Sequence, residues 1–306
     1  MAFLKSYKPA RAPGAEYEYS NLGIGLLGHV LAKRANLSYE QMVHDRVLEP
    51  LQMTDTTTTL NDSQKSRLAP GHDADGKATA GWTFNDAVAG AGGLRSTCDD
   101  MIKFAQAQIH PPDGKLGDAI RETHEVRGQI MPGRDVGLTW MIDAGGICVW
   151  HQGDSGGYQS FIACGPEAGV GVVMLSNSAN GSLVQAGSEV IRAQLGLPGM
   201  PPVPPREAVE LSKEQMDRFV GNYQLAPGAV LRIWRKENKL MAQLADQPAF
   251  PIFPESEKQC FWKVVDAQVE FELADDKGPA KSATLHQNGR DMPATRIEQS
   301  TTQPGK

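Results

Sequence analysis

Two short groups of polar residues, Tyr19-Ser20-Asn21 and His151-Gln152-Gly153, have the residue types and spacing of two elements of a serine acyl-transfer site. Such chemistry proceeds through a serine ester, so the site also needs a nucleophilic serine with a lysine three residues later, one helical turn away. No lysine in the chain has a serine or threonine three residues before it. We therefore expect two of three catalytic elements, with the nucleophile segment missing, because only 18 residues precede Tyr19.

The composition is that of an ordinary globular protein, with 306 residues, 40% hydrophobic and 22% charged. The net charge is −6 and the basic residues are scattered, which excludes a basic surface for nucleic acid. Four widely separated cysteines predict neither a disulfide scaffold nor a zinc site, and we expect no metal and no cofactor. The chain has no apolar run long enough to span a bilayer and no signal peptide, so its compartment stays open.

A proline-rich stretch divides the chain. Five prolines in residues 197–205 disfavour a helix and favour an extended spacer. We expect a first domain over 1–196, a linker over 197–207, a second domain over 208–300 and a tail over 301–306.

The elements that would position the polar groups are helices followed by an antiparallel sheet. Apolar spacing predicts helices over 22–35, 39–49 and 182–195, and a capping box at Ser96 to Asp99 predicts one that ends at Ile109. Asn21 is the expected N-cap of the first helix, whose expected apolar face is formed by Leu22, Leu26, Leu27, Val30 and Leu31. Strands are expected over 136–143, 148–152, 159–164 and 170–176, whereas 54–89 is irregular.

The second domain alternates polar and apolar residues over seven or eight short segments, the pattern of a small antiparallel barrel or sandwich. A short helix over 213–219 is expected before the strands.

Five blocks in order carry a family resemblance. They are Tyr19-Ser20-Asn21, Pro50-Leu51-Gln52-Met53-Thr54-Asp55-Thr56, Gly90-Ala91-Gly92-Gly93-Leu94-Arg95-Ser96-Thr97, His151-Gln152-Gly153 and Gly156-Gly157-Tyr158-Gln159-Ser160-Phe161. This series resembles the serine β-lactamase-like superfamily, which includes class C β-lactamases, DD-peptidases and family VIII carboxylesterases. The resemblance implies an N-terminally incomplete α+β domain, an antiparallel sheet flanked by helices, followed by an appended lipocalin-like barrel.

The resemblance also implies roles for the site residues. Tyr19 would be the base or share that role with the missing lysine, and His151 would supply the cation that a phenol of pKa near ~10 needs. Asn21 would bind the substrate amide, and Gly153 would let substrate approach the strand. Gln152 and Asp154 depart from the usual pattern. The Asp154 backbone N–H would provide half of an oxyanion hole, while its carboxylate would repel anionic substrates.

The function implied is hydrolysis of a small ester, amide or β-lactam, impaired in this chain. One alternative is a non-catalytic binding protein on the same scaffold, which would associate with itself or with the missing segment. Another is an esterase that uses Ser155 or Ser20. Ser155 lies in Gly153-Asp154-Ser155-Gly156-Gly157, which matches a nucleophile elbow in sequence, but a strand and not a helix is expected after it.

Overall fold

In the computed structural model, a six-stranded antiparallel sheet with helices on both faces precedes a closed eight-stranded antiparallel barrel. The structure describes residues 7–8, 11–12, 14–15, 17–74, 76–131, 133–179, 181–199, 206–226, 229–245, 249–263, 267–273, 278–287 and 290–297. The chain divides into two units, Met1–Met200 and Pro201–Lys306. These features confirm the predicted α+β class and appended barrel. Most of the proline-rich linker and the whole tail 301–306 lie outside the described residues.

The helices of the first unit follow the predicted order with two additions. They are α1 (Asn21–Ala35), α2 (Tyr39–Val43), α3 (Asp62–Arg67), α4 (Cys98–Ile109), α5 (Lys115–His124) and α6 (Leu183–Gln194). A π-helical turn, His44–Leu48, continues α2, so the predicted single helix changes its hydrogen-bond pattern at His44. Helices α3 and α5 were not predicted. Among the described residues, no helix is both long and apolar enough to cross a membrane.

The central sheet has its strands in sequence order, each paired antiparallel with the next. The strands are β3 (Gly128–Met131), β4 (Arg134–Val136), β5 (Met141–Asp143), β6 (Cys148–Ser155), β7 (Tyr158–Gly165) and β8 (Val170–Ser176). Two short strands, β1 (Gly71–His72) and β2 (Ala78–Thr79), pair separately. The single strand predicted over 136–143 is two strands, because a turn separates β4 from β5. Strand β6 runs three residues beyond its predicted end.

Different helices cover the two faces of the sheet. Val149 and Ile162 lie on one face, in a buried cluster with Ala105 of α4. Phe161 lies on the other face, in a second cluster with Ile191 of α6. Since successive side chains of a strand point to opposite faces, each residue of β6 and β7 can be assigned to the α4 face or the α6 face.

Helix α1 packs through its small residues and not through its predicted apolar face. Gly25, Gly28 and Ala32 are buried, and a methyl group added to Gly28 would lie 2.9 Å from the Tyr39 ring. The expected core face is largely exposed, with exposed fractions of 42% for Leu22, 51% for Leu27, 52% for Val30 and 44% for Leu31. The expectation that these side chains face the core of this chain is therefore wrong.

The second unit begins with a short helix and closes into an up-and-down barrel. Helix α7 (Lys213–Asp217) precedes β9 (Gly221–Ala226), β10 (Ala229–Lys236), β11 (Lys239–Leu244), β12 (Phe250–Pro254), β13 (Gln259–Trp262), β14 (Ala267–Leu273), β15 (Ala280–Gln287) and β16 (Arg290–Ile297). Consecutive strands pair, and β16 returns to β9. Buried apolar side chains, among them Tyr223, Leu231 and Phe271, pack together in one core cluster. Strand β9, which closes the barrel, was absent from the predicted strands.

The contact between α6 and the sheet depends on Gly187. A methyl group at this position would clash with the Phe161 ring, which lies in the α6-side core. We expect Gly187→Ala to destabilise the first unit by about 1 to 3 kcal/mol through overpacking, despite the better helix propensity of alanine. Urea denaturation monitored by tryptophan fluorescence measures the change. The control Glu189→Ala alters an exposed residue of the same helix and should change stability far less. Equal stability of Gly187→Ala and wild type would contradict this packing.

Candidate active site

Tyr19 and His151, far apart in the chain, lie side by side in the fold. Tyr19 immediately precedes the N-cap of α1, and His151 lies in the middle of β6. Their ring centroids are 6.4 Å apart, with an angle of 34° between the ring planes. The Tyr19 side chain is 55% exposed, whereas His151 is partly buried. The structure therefore brings the two predicted site residues to one location, open to solvent on the tyrosine side.

Ser20 has a structural role at this location. Its Oγ accepts a hydrogen bond from the Gly23 backbone N–H at 3.0 Å and caps the first turn of α1. Asn21, predicted as the cap, is instead the first residue of the helix and is exposed. The predicted helix start was thus one residue late. Asn21 remains available to a ligand, whereas the Ser20 hydroxyl is engaged by its own helix.

His151 is held in one tautomer by the strand that carries it. Its Nδ1 lies 2.7 Å from the Gln152 carbonyl oxygen, which can only accept, so Nδ1 carries the proton. The Nε2 atom then keeps its lone pair in the neutral ring. Burial lowers the pKa of His151 below its ordinary value, against the raising effect of this hydrogen bond. Burial thus disfavours the charged ring, which argues against the expectation that His151 supplies a cation beside Tyr19.

Ser155 lies at the far end of β6. It pairs with Tyr158 across a two-residue turn formed by Gly156 and Gly157, so the chain makes a β-hairpin here and no strand-to-helix elbow. Because β6 is extended through Ser155, four residues separate it from His151 by about 13 Å. That separation is beyond hydrogen-bond reach. The geometry does not support Ser155 as a nucleophile activated by His151.

Asp154 points away from Tyr19. It pairs with Gln159 of β7, and the Gln159 Nε2 donates to Asp154 Oδ1 at 2.7 Å. The Gln159 Oε1 in turn accepts from the Gly181 backbone N–H at 3.2 Å, just before α6. Asp154 and Gln152 alternate with His151 along β6, which places both side chains on the α6 face. The expected carboxylate beside the substrate is therefore on the opposite side of the sheet, and only the backbone of these residues borders the site.

One edge of β6 is open beside His151. Strand β5 pairs only with residues 148–150 of β6. Within the described part of the chain, no strand pairs with residues 151–155 on that side. This stretch includes the backbone of Gly153 and Asp154, and an extended ligand can approach it.

Ser160 lies on the same face of the sheet as His151 and was not predicted as a site residue. It pairs with Gly153, and a methyl group added to Gly153 would lie 2.6 Å from the Ser160 Oγ. Its position could have been deduced from the sequence, because the Gly156-Gly157 turn fixes which residues of β6 and β7 face each other.

A second group of possible metal ligands lies elsewhere. His44, Asp45 and Glu49 are exposed, and each has one ligand atom within 4.8 Å of the others. The π-helical turn explains why His44 approaches Glu49, five residues later. Exposed groups of this kind are common without an ion, so we assign them no metal role.

The family of the chain follows from comparison with known proteins. Residues 1–196 match the Beta-lactamase family, and residues 205–299 match a domain of unknown function (DUF3471). The chain belongs to the Beta-lactamase family. A β-lactamase of Yersinia enterocolitica is 28% identical over 62% of this chain, and the penicillin-binding protein 4* of Bacillus subtilis (strain 168) is 24% identical over 94% of it. The chain spans 59% of the Yersinia protein and 68% of the Bacillus protein.

Solved structures show the same fold. The β-lactamase/D-alanine carboxypeptidase of Pseudomonas syringae aligns with a TM-score of 0.54 at 21% identity, covering 58% of this chain and 59% of that one. The octameric penicillin-binding protein homologue of Pyrococcus abyssi aligns with a TM-score of 0.53 at 21% identity, covering 94% and 66%. The family resemblance predicted from the motif series is thereby confirmed.

The depressed pKa of His151 predicts a pH dependence. Because the folded state disfavours the protonated form of His151, the folded protein binds fewer protons than the unfolded chain below about pH 6.5. The stability contributed by the neutral ring is therefore complete above that pH and is lost as the pH falls from there through the lower pKa of the folded state. We expect the imidazole to titrate below the ordinary value by NMR, and His151→Gln to weaken the loss of stability between pH 7 and pH 5. His124 is also partly buried with a lowered pKa, so the variant is needed to assign the His151 signal. An ordinary titration of His151 would contradict its burial.

Proposed function

We propose that residues 1–196 carry part of a serine hydrolase site for small esters, amides or β-lactams, in which Tyr19, Asn21, His151 and Gly153 border the reacting acyl group. Membership of the Beta-lactamase family supports a hydrolase-type function. The observation that carries the proposal is the 6.4 Å approach of the Tyr19 and His151 rings, because two distant motifs converge on one solvent-open location.

The proposed roles of these groups are to transfer protons and to position the substrate. Tyr19 would pass the nucleophile's proton toward the leaving group. The lone pair of His151 Nε2 would accept a hydrogen bond from the Tyr19 hydroxyl. A neutral imidazole does not stabilise a phenolate as a cation does, so the phenol needs a cation from another source. The backbone N–H of Asp154, on the open stretch of β6, would contribute half of an oxyanion hole.

We further propose that the 306-residue chain alone is catalytically impaired. None of its lysines lies three residues after a serine or threonine, so the paired nucleophile and cation are not encoded within it. Of the two serines considered as substitutes, Ser20 caps α1 and Ser155 lies at the hairpin end. Loss of the nucleophile in a serine hydrolase lowers kcat by a factor on the order of 10⁶.

Activity measurements test this proposal directly. The purified chain should hydrolyse a chromogenic cephalosporin and short-chain nitrophenyl esters at rates close to those of the Tyr19→Phe variant. A fluorophosphonate probe, located by peptide mass, should label no serine. Rapid hydrolysis that Tyr19→Phe abolishes would show that the chain holds its own nucleophile. Labelling confined to Ser20 or Ser155 would support the alternative esterase.

The exposed apolar face of α1 supports the proposal that the chain binds a partner, whether or not the site is active. Leu22, Leu27, Val30 and Leu31 form an apolar patch, and β8 ends the sheet with one edge unpaired among the described strands. At about 25 cal/mol per Å², leaving some 400 Å² of apolar surface in water costs on the order of 10 kcal/mol. That cost is comparable to the whole stability of a domain. We propose that a second copy or a nucleophile-bearing segment covers this face. The octameric assembly of the Pyrococcus homologue agrees with the first possibility.

Self-association can be tested by placing charge on the patch. The wild-type chain should form oligomers whose mass by multi-angle light scattering rises with protein concentration. Leu27→Glu and Val30→Glu should shift it toward monomer, because burying an unpaired carboxylate is costly. Lys33→Glu, on an exposed position of the same helix, is the matched charge control. A monomeric wild-type chain with a cooperative melt would contradict the need for a partner.

A further inference from the structure

The hydroxyl of Ser160 occupies space that Gly153 leaves free. The two residues are direct partners in the β6–β7 pairing, and side chains of such partners point to the same face. A methyl group on Gly153 would lie 2.6 Å from Ser160 Oγ, closer than two such atoms approach without displacement. The serine therefore leans across β6 toward the candidate site because the glycine has no side chain.

Ser160 shares its face with His151. The partner of His151 is Ile162, which belongs to the cluster on the α4 face. Ser160 lies two residues before Ile162 on β7, hence on the same face, and it is a diagonal cross-strand neighbour of His151. Diagonal neighbours lie about 7 Å apart, within the span of a small acyl compound. Ser160 is thus next to the ring that contacts Tyr19.

The Ser160 hydroxyl is available to a ligand. Within the described part of the chain, its Oγ has no hydrogen-bond partner. The side chain is only partly buried, so the hydroxyl is exchangeable with solvent. Buried or half-buried hydroxyls are nearly always paired, with protein or with water, and a water in this place can be displaced by a substrate oxygen.

We propose that Ser160 is a substrate-contacting residue whose hydroxyl donates a hydrogen bond to an uncharged carbonyl oxygen lying over Gly153, and that it favours neutral esters over carboxylates. This inference rests on the proposed hydrolase site. On this face the Ser160 hydroxyl and the His151 imidazole would border the ligand, and neither is a fixed cation that compensates a carboxylate for the water it would lose. The Asp154 carboxylate, on the α6 face, is not the source of this preference.

A matched pair of compounds tests the contact in the full 306-residue chain. N-acetyl-D-alanine methyl ester and N-acetyl-D-alanine differ only in the neutral or ionised carboxyl group. Each is titrated into the protein while the His151 imidazole resonance is followed by NMR, with His151→Gln for assignment. We expect the ester to bind at least fivefold more tightly than the acid. Ser160→Ala should raise the Kd of the ester about fivefold, the usual effect of losing one neutral hydrogen bond.

Gly153→Ala is a second variant at the same contact, because its methyl group displaces the hydroxyl and also fills the space over Gly153 where the carbonyl would lie. This variant should weaken ester binding at least as much as Ser160→Ala, and the double variant should be no worse than Gly153→Ala alone. Ser188→Ala, a partly buried serine on α6 at the other face of the sheet, should bind the ester as wild type does. Circular dichroism confirms that each variant is folded.

Each result decides between the two proposals. If Tyr19→Phe weakens ester binding but Ser160→Ala does not, the role of Ser160 is overturned and the hydrolase site stands. Equal or tighter binding of the acid overturns the preference for neutral substrates. If neither compound shifts the His151 resonance of the wild-type chain, the Ser160 contact and the proposed substrate site fail together.

Discussion

The register between β6 and β7 decides the chemistry of every residue considered for the site. A two-residue turn at Gly156 and Gly157 fixes which residues of the two strands face each other. In this register His151 faces Tyr19, while Asp154 is tied to Gln159 on the opposite face. A slip of one residue would exchange the two faces and bring Trp150 or Gln152 to the place that His151 occupies beside Tyr19. The hydrophobic clusters under α4 and α6 hold the register, since a slip would move Val149 and Phe161 out of them.

The electrostatics of the candidate site follow from this placement of His151. His151 is partly buried, which disfavours its charged form, and its Nδ1–H already donates to the Gln152 carbonyl. The ring can therefore orient and accept, but it does not replace a lysine as a cation.

Regular apolar patterns in the sequence predicted the fold well where a single periodicity dominated. Strand β8 and helix α6 lie within one residue of their predicted bounds, because each combines a clear apolar period with turn residues at its ends. Helix α5 was missed, since its N-terminus has no side-chain cap and begins after Gly114. The prediction of which face of α1 is buried was wrong for another reason. Close backbone packing at Gly25 and Gly28 outweighs the leucines, and single-chain periodicity cannot show what covers a helix.

The site was predictable as a pair of motifs but not as an arrangement of side chains. That Tyr19 and His151 converge was inferred from motif order, whereas the direction of Asp154 and the presence of Ser160 depend on strand parity beyond the predicted end of β6. The predicted strand ends at Gln152, before Gly153, yet β6 continues to Ser155. A glycine in a strand can equally mark close approach by a neighbour, and here the neighbour is the Ser160 hydroxyl.

The candidate site and the exposed apolar surface meet at the first turn of α1. Helix α1 begins two residues after Tyr19 and presents Leu22, Leu27 and Val30 to solvent along its length. Any chain segment that covers those side chains must therefore run close to the exposed phenol at the start of the helix. The hydrophobic gain from covering α1, on the order of 10 kcal/mol, is comparable with the about 7 to 11 kcal/mol that positioning of reacting groups can contribute to catalysis. Covering the apolar face and delivering a nucleophile with its cation to Tyr19 would then be the same binding event, so stability and activity would be recovered together.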